Sequence, residues 1–292
     1  MAKNGGGNGA SSIDGTTATI RTAYGNRGYN GGVSFTAQES KLSVSGNLMG
    51  AYQNIPNIEN NTERKVFTDH SILSQYLKTT QRMHFLMGNI NMSYNIDSLN
   101  TISSSFGVTG YRLKNRYNPL LEFSGNSFIP SYQYSYDGTM KMSNTSYDFS
   151  ADWQHFLNTE KNKYFIISYM LSQSPQENEM TQRFDTSAML DDVYDKNRPK
   201  SMEQTIQIDY TMPVGNGQTV NVGSKYVNRR NISLSEYYNI EGDVKTLIDE
   251  NTSDYRHTSN IGAAYAEYDA SMGVFSAKTG LRYEHTWQNV EL

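Results

Sequence analysis

Five histidines, His70, His84, His155, His257 and His285, are the first side chains to test for chemistry in this sequence. No two stand four apart on a helical stretch, and with no Cys beside them the spacing of a zinc site is absent. His155 and His285 suit an interfacial position better than a catalytic one. The segment DDVYDKNRPK (191–200) offers Asp191, Asp192 and Asp195 to a cation such as calcium. It lacks the sixth-position Gly and closing Glu of an EF-hand loop, so a solvated loop is the plainer reading. The early GGGNG follows no strand and opens no helix, which makes it a linker rather than a phosphate cradle. No GxSxG elbow and no Ser-His-Asp pattern is visible. Asn-x-Ser/Thr triplets begin at Asn60, Asn91, Asn144, Asn231 and Asn251, as an Asn/Ser/Thr-rich chain produces by chance. The expectation is a protein that is not an enzyme, with no cofactor and no metal.

Composition narrows the class. The 292 residues are 36% hydrophobic and 18% charged, with 22 Tyr and a net charge of −4. Lys and Arg number 25 against 29 Asp and Glu, so no basic excess exists to meet nucleic acid. The aromatic content is wrong for disorder, and the absence of Cys removes disulfide scaffolds. Mean hydropathy is −0.67 with only short apolar runs, far from the roughly 20 apolar residues of a membrane helix. The opening MAKNGGGNG has no apolar core of a secretory signal.

What must position any functional group is a set of strands. KLSVSGNLMGAY puts Leu42, Val44, Gly46, Leu48, Gly50 and Tyr52 on one face, with Lys41, Ser43, Ser45 and Asn47 on the other. That period of two is the mark of a strand with one apolar and one polar side. HFLMGNINMSYNI, TISSSFGVTGY, TSYDFSADW, SMEQTIQIDYTM and SNIGAAYAEY repeat the construction. About eleven strands are expected and no useful helix. Short links near Glu39, 97–100, 157–163, 213–218 and 270–274 alternate with long polar ones at about 55–80, 113–140, 172–200 and 229–257. Outer-membrane barrels alternate in this way, with short turns on one side and long loops on the other. Asp148, Asp152, Glu203, Asp209, Lys278, Arg282 and Glu284 all fall on polar faces. Tyr52, Tyr94, Tyr111, Tyr210, Tyr226, Tyr268, Tyr283 and Trp287 lie near strand ends, where they suit aromatic girdles. The high β propensity of Tyr explains some of them equally well. The fold class expected is all-β, an antiparallel up-and-down transmembrane β-barrel.

DYRHTSNIGAAYAEYDASMGVFSAKTGLRYEHTW (254–287) resembles a strand pair of the TonB-dependent outer-membrane receptors, and QTIQIDYTMPVGNGQTVNVGSKYVNR (204–229) resembles the hairpin before it. The closest subgroup is the outer membrane protein beta-barrel receptors of Bacteroidetes. The resemblance implies a 22-stranded barrel, half of which is visible here, in the outer membrane of a Gram-negative cell. It implies a partial chain: residues 1–17 as a linker from a missing plug domain, and 18–292 as partial barrel without its last strands. Arg21, Asn89, Asn91, Asp209, Lys225 and Arg282 would then line the lumen against the plug. The implied partners are outer-membrane lipid, the TonB energy-transducing complex acting through the plug, a surface lipoprotein and an imported ligand of unknown identity, with no nucleic acid. A complete small barrel or surface β-protein, such as an adhesin or barrel enzyme, is the competing expectation, and a soluble β-sandwich the third.

Overall fold

Period-two alternation becomes a meander in the computed structural model, which describes residues 14–125, 130–185, 188 and 190–291. The strands are β1 (Gly15–Gly25), β2 (Gly28–Glu39), β3 (Leu42–Lys65), β4 (Ile72–Asn95), β5 (Asn100–Ser124) and β6 (Tyr132–Phe156). They continue as β7 (Tyr164–Phe184), β8 (Asp192–Gly215), β9 (Gln218–Glu241), β10 (Val244–Leu247), β11 (Ser253–Met272) and β12 (Phe275–Glu291). Each long strand pairs antiparallel with its neighbour in chain order, and the four-residue β10 folds back on β9 beside the main path. A single 3-10 turn, Asp249–Asn251, interrupts the strands among the described residues.

Among the described residues there is no second layer. Among these residues, Val227, Ile240, Ala263 and Pro119 are buried apolar side chains, while Leu48, Ile90, Phe106, Ile206 and Leu281 all stand exposed. A soluble sandwich would bury one face of each sheet against the other. One sheet with its apolar side bare excludes that expectation.

Strands β3 to β9 run 21 to 25 residues. At about 3.3 Å per residue they reach roughly 70–80 Å, whereas a tilted crossing of the hydrocarbon takes only about ten residues. The stretches expected as long loops are mostly strand. Residues 55–65 pair with 72–81, 113–123 with 132–142, 178–182 with 193–197, and 229–235 with 253–259. Here both sides of the sheet carry polar side chains, so the apolar alternation that marks a strand is missing although the backbone ladder continues. The links from β3 to β4, β5 to β6, β7 to β8 and β9 to β11 leave the strands at one end of the sheet. At the other end are the short turns 40–41, 96–99, 157–163, 216–217 and 273–274. The β1–β2 turn at Asn26 and Arg27 is short although it sits at the long-loop end.

Local chemistry fixes the turns. At 96–99 the Asp97 carboxylate accepts from the backbone N–H of Leu99 (2.7 Å) and of Asn100 (2.9 Å). The Leu99 N–H, then the Asn100 side chain, hold that carboxyl below the usual range. A bulge interrupts the β3–β4 register between Ile55 and Ile58, where Pro56 has no N–H to give and Asn57 takes φ 56°. At the amino end, residues 1–13 of the expected linker lie outside the described residues. Gly15, Thr16 and Thr17 are already strand, paired with Gln38, Ala37 and Thr36, so β1 starts ahead of the expected boundary at residue 18.

Candidate functional site

Ladder registers sort every residue onto one of two faces. Successive partners across the sheet, such as Leu42, Tyr94, Ile102, Trp153, Ile167, Ile208, Ser224, Ala264 and Tyr283, share a face. On that face β4 shows Leu86, Gly88, Ile90, Met92 and Tyr94, and β8 shows Ile206, Ile208, Tyr210 and Met212. Between the aromatic positions at its two margins, this face carries no Asp, Glu, Lys or Arg among the described residues. A charge there would cost about 2–4 kcal/mol at a bilayer midplane.

The margins slope. Tyr52 on β3 marks the upper margin, that is, the margin toward the long links. Tyr147 on β6 faces Val108, then Gly88, then Leu48, four residues below Tyr52 on β3. Tyr226 on β9 leads back through Ile206, Tyr169, Ala151, Ser104 and Met92 to Val44, eight residues below Tyr52. Eight residues over six strand steps corresponds to a strand tilt of roughly 40° for strands about 4.8 Å apart. Strands of outer-membrane barrels tilt by about 35–45°. Tyr283 on β12 lies near the extrapolated line. Trp287 sits two same-face positions higher, its ring 4.4 Å from that of His285. Near the short turns Tyr94, Trp153, Tyr210 and Tyr268 mark the lower margin, and the His155 ring packs on Trp153 and Phe165 while hydrogen bonding to Asn100 at 2.7 Å.

Tyr111 departs from the expected girdle. It stands opposite Phe85 on the face that carries Asn89 and Asn91, not with Tyr52 and Tyr94. Nearness to a strand end suggested a girdle position, but parity decides the face, and Tyr111 is an odd number of residues from Ile102, Phe106 and Val108.

The other face is polar. Arg21, Asn89, Asn91, Asp209, Lys225 and Arg282 all lie on it, as do Asp148, Asp152 and Glu203. They are not gathered at one point. Arg21, on β1, is far along the sheet from the β8–β12 group. There Tyr265 lays its ring over Gly223, where a Cβ would meet ring and carboxylate atoms at 2.5 Å. The Tyr265 hydroxyl donates to Asp209, Gln207 donates to both groups, and Arg282 sits 5.8 Å from the Tyr265 ring and 2.7 Å from Glu284. Nearer the turns, Lys278 binds Glu267 and Asp269, and Asn221 donates to both of those carboxylates.

Residues 154–292 match the outer membrane protein beta-barrel family. Together with the all-antiparallel, up-and-down strand order, that match makes the protein an outer-membrane β-barrel wall, integral to the outer membrane. No curated protein matches the chain.

On the polar side of the outer-membrane wall, above the margin of Tyr52, six rings gather from β5, β6 and β7. Phe123 stacks on Tyr132 at 4.9 Å, Tyr132 on Tyr134 at 6.4 Å, Tyr136 meets Phe184 at 5.1 Å, and Tyr117 meets Tyr136 edge-on. The Tyr117 ring fills the space over Gly138. Expecting a loop at 113–140 hid this cluster, although YQYSY carries its own period of two. The candidate cation residues part company: Asp192 accepts from the Phe184 N–H at 2.8 Å, and Asp195 lies on the opposite face of β8. No cluster of three metal-ligating side chains occurs among the described residues.

Proposed function

We propose that this barrel wall is part of a TonB-dependent receptor of the Bacteroidetes type, which imports a scarce ligand across the outer membrane. The observation that carries the reading is the resemblance of 204–229 and 254–287 to receptor strand pairs, within the stretch that matches the barrel family. The polar face supports it. Charges there are organised into shared networks around Asp209, Tyr265 and Arg282 and around Lys278, while Arg21 and Lys225 keep no ion-pair partner among the described residues. A wall of that kind suits contact with a polar plug domain filling the lumen.

In this reading β1 and β12, each paired on one side only, are joined by further strands or by one another, because an open edge in lipid leaves backbone groups unsatisfied. The six-ring cluster at the outer mouth meets the incoming ligand, a surface lipoprotein covers the mouth, and the TonB complex of the inner membrane moves the plug. The wall itself does no covalent chemistry.

Uptake of ferric siderophore, cobalamin, oligosaccharide and peptide probes by cells carrying the full-length gene tests the proposal. One probe is expected to accumulate only when TonB and the proton-motive force are both present, with loss of either reducing uptake to background. Probes that enter equally without energy, in order of size alone, would show a passive pore and overturn it.

A further inference from the structure

On the lipid-side face, just beyond the aromatic margin, the alternation changes from apolar to cationic. Tyr52 faces His84, and His84 faces Arg112. One same-face position higher, Arg82, Lys114 and Lys141 stand directly opposite one another on β4, β5 and β6, and Arg116 follows Lys114. Like charges opposed across a ladder are destabilising unless counter-charges offset them, and the sheet itself supplies these only on the β7 side. Glu179 binds Lys141 at 2.9 Å and Lys196 at 3.4 Å, and Glu177 binds Lys196 at 3.4 Å. No carboxylate pairs with Arg112, Lys114 or Arg116 among the described residues, and Arg82 reaches only the Asn54 side chain at 3.4 Å.

Arg82, Arg112, Lys114 and Lys141 line a groove of about 490 Å³ between β4 and β7, with Glu177 and Glu179 on its β7 side; Arg116 stands one same-face position beyond Lys114. Immediately below the groove, toward the lipid, lies a second depression of about 330 Å³, lined by Leu86, Val108 and Gly110 and sharing His84 and Arg112 with the first. Gly50 and Gly88 keep the same face shallow beside it. Taking the sloping aromatic line as the hydrocarbon edge, the cations stand on the order of 5–15 Å outside it, at headgroup depth. Basic residues at that depth attract anionic headgroups.

We infer that this stepped surface is a binding site for a phosphorylated lipid of the outer leaflet, with phosphates among Arg82, Arg112, Lys114 and Arg116 and an acyl chain along the Gly110 groove. The continuity of a cationic pocket with an apolar one selects lipid over free phosphate. The inference rests on the outer-membrane wall and is independent of what, if anything, the barrel transports.

Native mass spectrometry of the full-length protein in detergent, with bisphosphorylated lipid A, its monophosphorylated form and phosphatidylcholine as probes, tests it. Bisphosphorylated lipid A is expected to bind most tightly and phosphatidylcholine least. The triple variant Arg112→Gln, Lys114→Gln, Arg116→Gln should weaken lipid A binding about one-hundredfold, at roughly fivefold per cation. Its folding is checked by the band shift between unheated and boiled samples. Gly110→Leu, whose Cβ meets nothing closer than 3.5 Å, should weaken lipid A while leaving competition by inorganic phosphate unchanged. Equal binding by wild type and triple variant would overturn the site. An unaffected Gly110→Leu with strong competition from inorganic phosphate would overturn the lipid assignment. If the triple variant does not fold, salt decides on the wild type: lipid A that stays bound from about 50 to 500 mM NaCl contradicts a charge-held headgroup.

Discussion

Replacing Ile90 by Arg destabilises the folded barrel by about 2–4 kcal/mol, the cost of a cation at the bilayer midplane. Ile90 lies four residues from Tyr94 and six from His84 on β4, is 46% exposed, and is flanked by Gly46 and Phe106 on the lipid side. One residue on, Asn91 lies on the polar face beside Ser45 and Ser105. Asn91→Arg is expected to change stability by no more than about 0.5 kcal/mol, as surface substitutions usually do. Denaturant unfolding of both variants of the full-length protein in lipid vesicles measures the difference. Equal costs for the two, or a neutral Ile90→Arg, would mean that the faces are assigned wrongly.

Gly28→Ala is the second change with a large expected effect, and it acts through the backbone. Gly28 has φ +155°, and a Cβ built there would lie 1.9 Å from the carbonyl oxygen of Tyr52 and 2.9 Å from its carbon. Backbone atoms locked into a ladder cannot yield as a flexible side chain would. The turn is also tied to β3 by the Asn54 N–H, which donates to the Arg27 carbonyl at 2.7 Å. Relief requires the β1–β2 hairpin to shift off β3, at a cost of about 1–3 kcal/mol for the strained residue alone. Hydrogen exchange should show β1 and the start of β2 losing protection while β4 to β8 keep theirs. Unchanged protection at Gly28–Val33 would show that the close approach to Tyr52 is not maintained in the membrane.

Within the hydrocarbon zone the fold was legible because lipid and lumen demand opposite side chains. Leu42 to Tyr52 and Ile206 to Tyr210 alternate for that reason, and their neighbours in the register confirm the pattern strand by strand. Above the aromatic margin both faces meet polar surroundings, the demand disappears, and β5 and β6 continue through residues that read as loop. Two features were lost with it. RLKNR (112–116) and YQYSY (132–136) each hold a period of two, one cationic and one aromatic, and neither uses the apolar residues by which strands are usually found. The Tyr265–Gly223 pairing was beyond reach for a different reason: a ring over a glycine depends on the register between β9 and β11, and a one-residue slip would send Tyr265 to the lipid side.

The chain has no Cys, so single-Cys variants along β4 from Phe85 to Met92 report on one site at a time. A fluorophore at each position, read against a lipid-borne quencher in vesicles, tests most directly that this sheet is a barrel wall with lipid on one face. Strong quenching at residues 86, 88, 90 and 92 and weak quenching at 85, 87, 89 and 91 is the expected result. Uniform quenching, or the opposite alternation, would contradict the assignment of the apolar face to lipid.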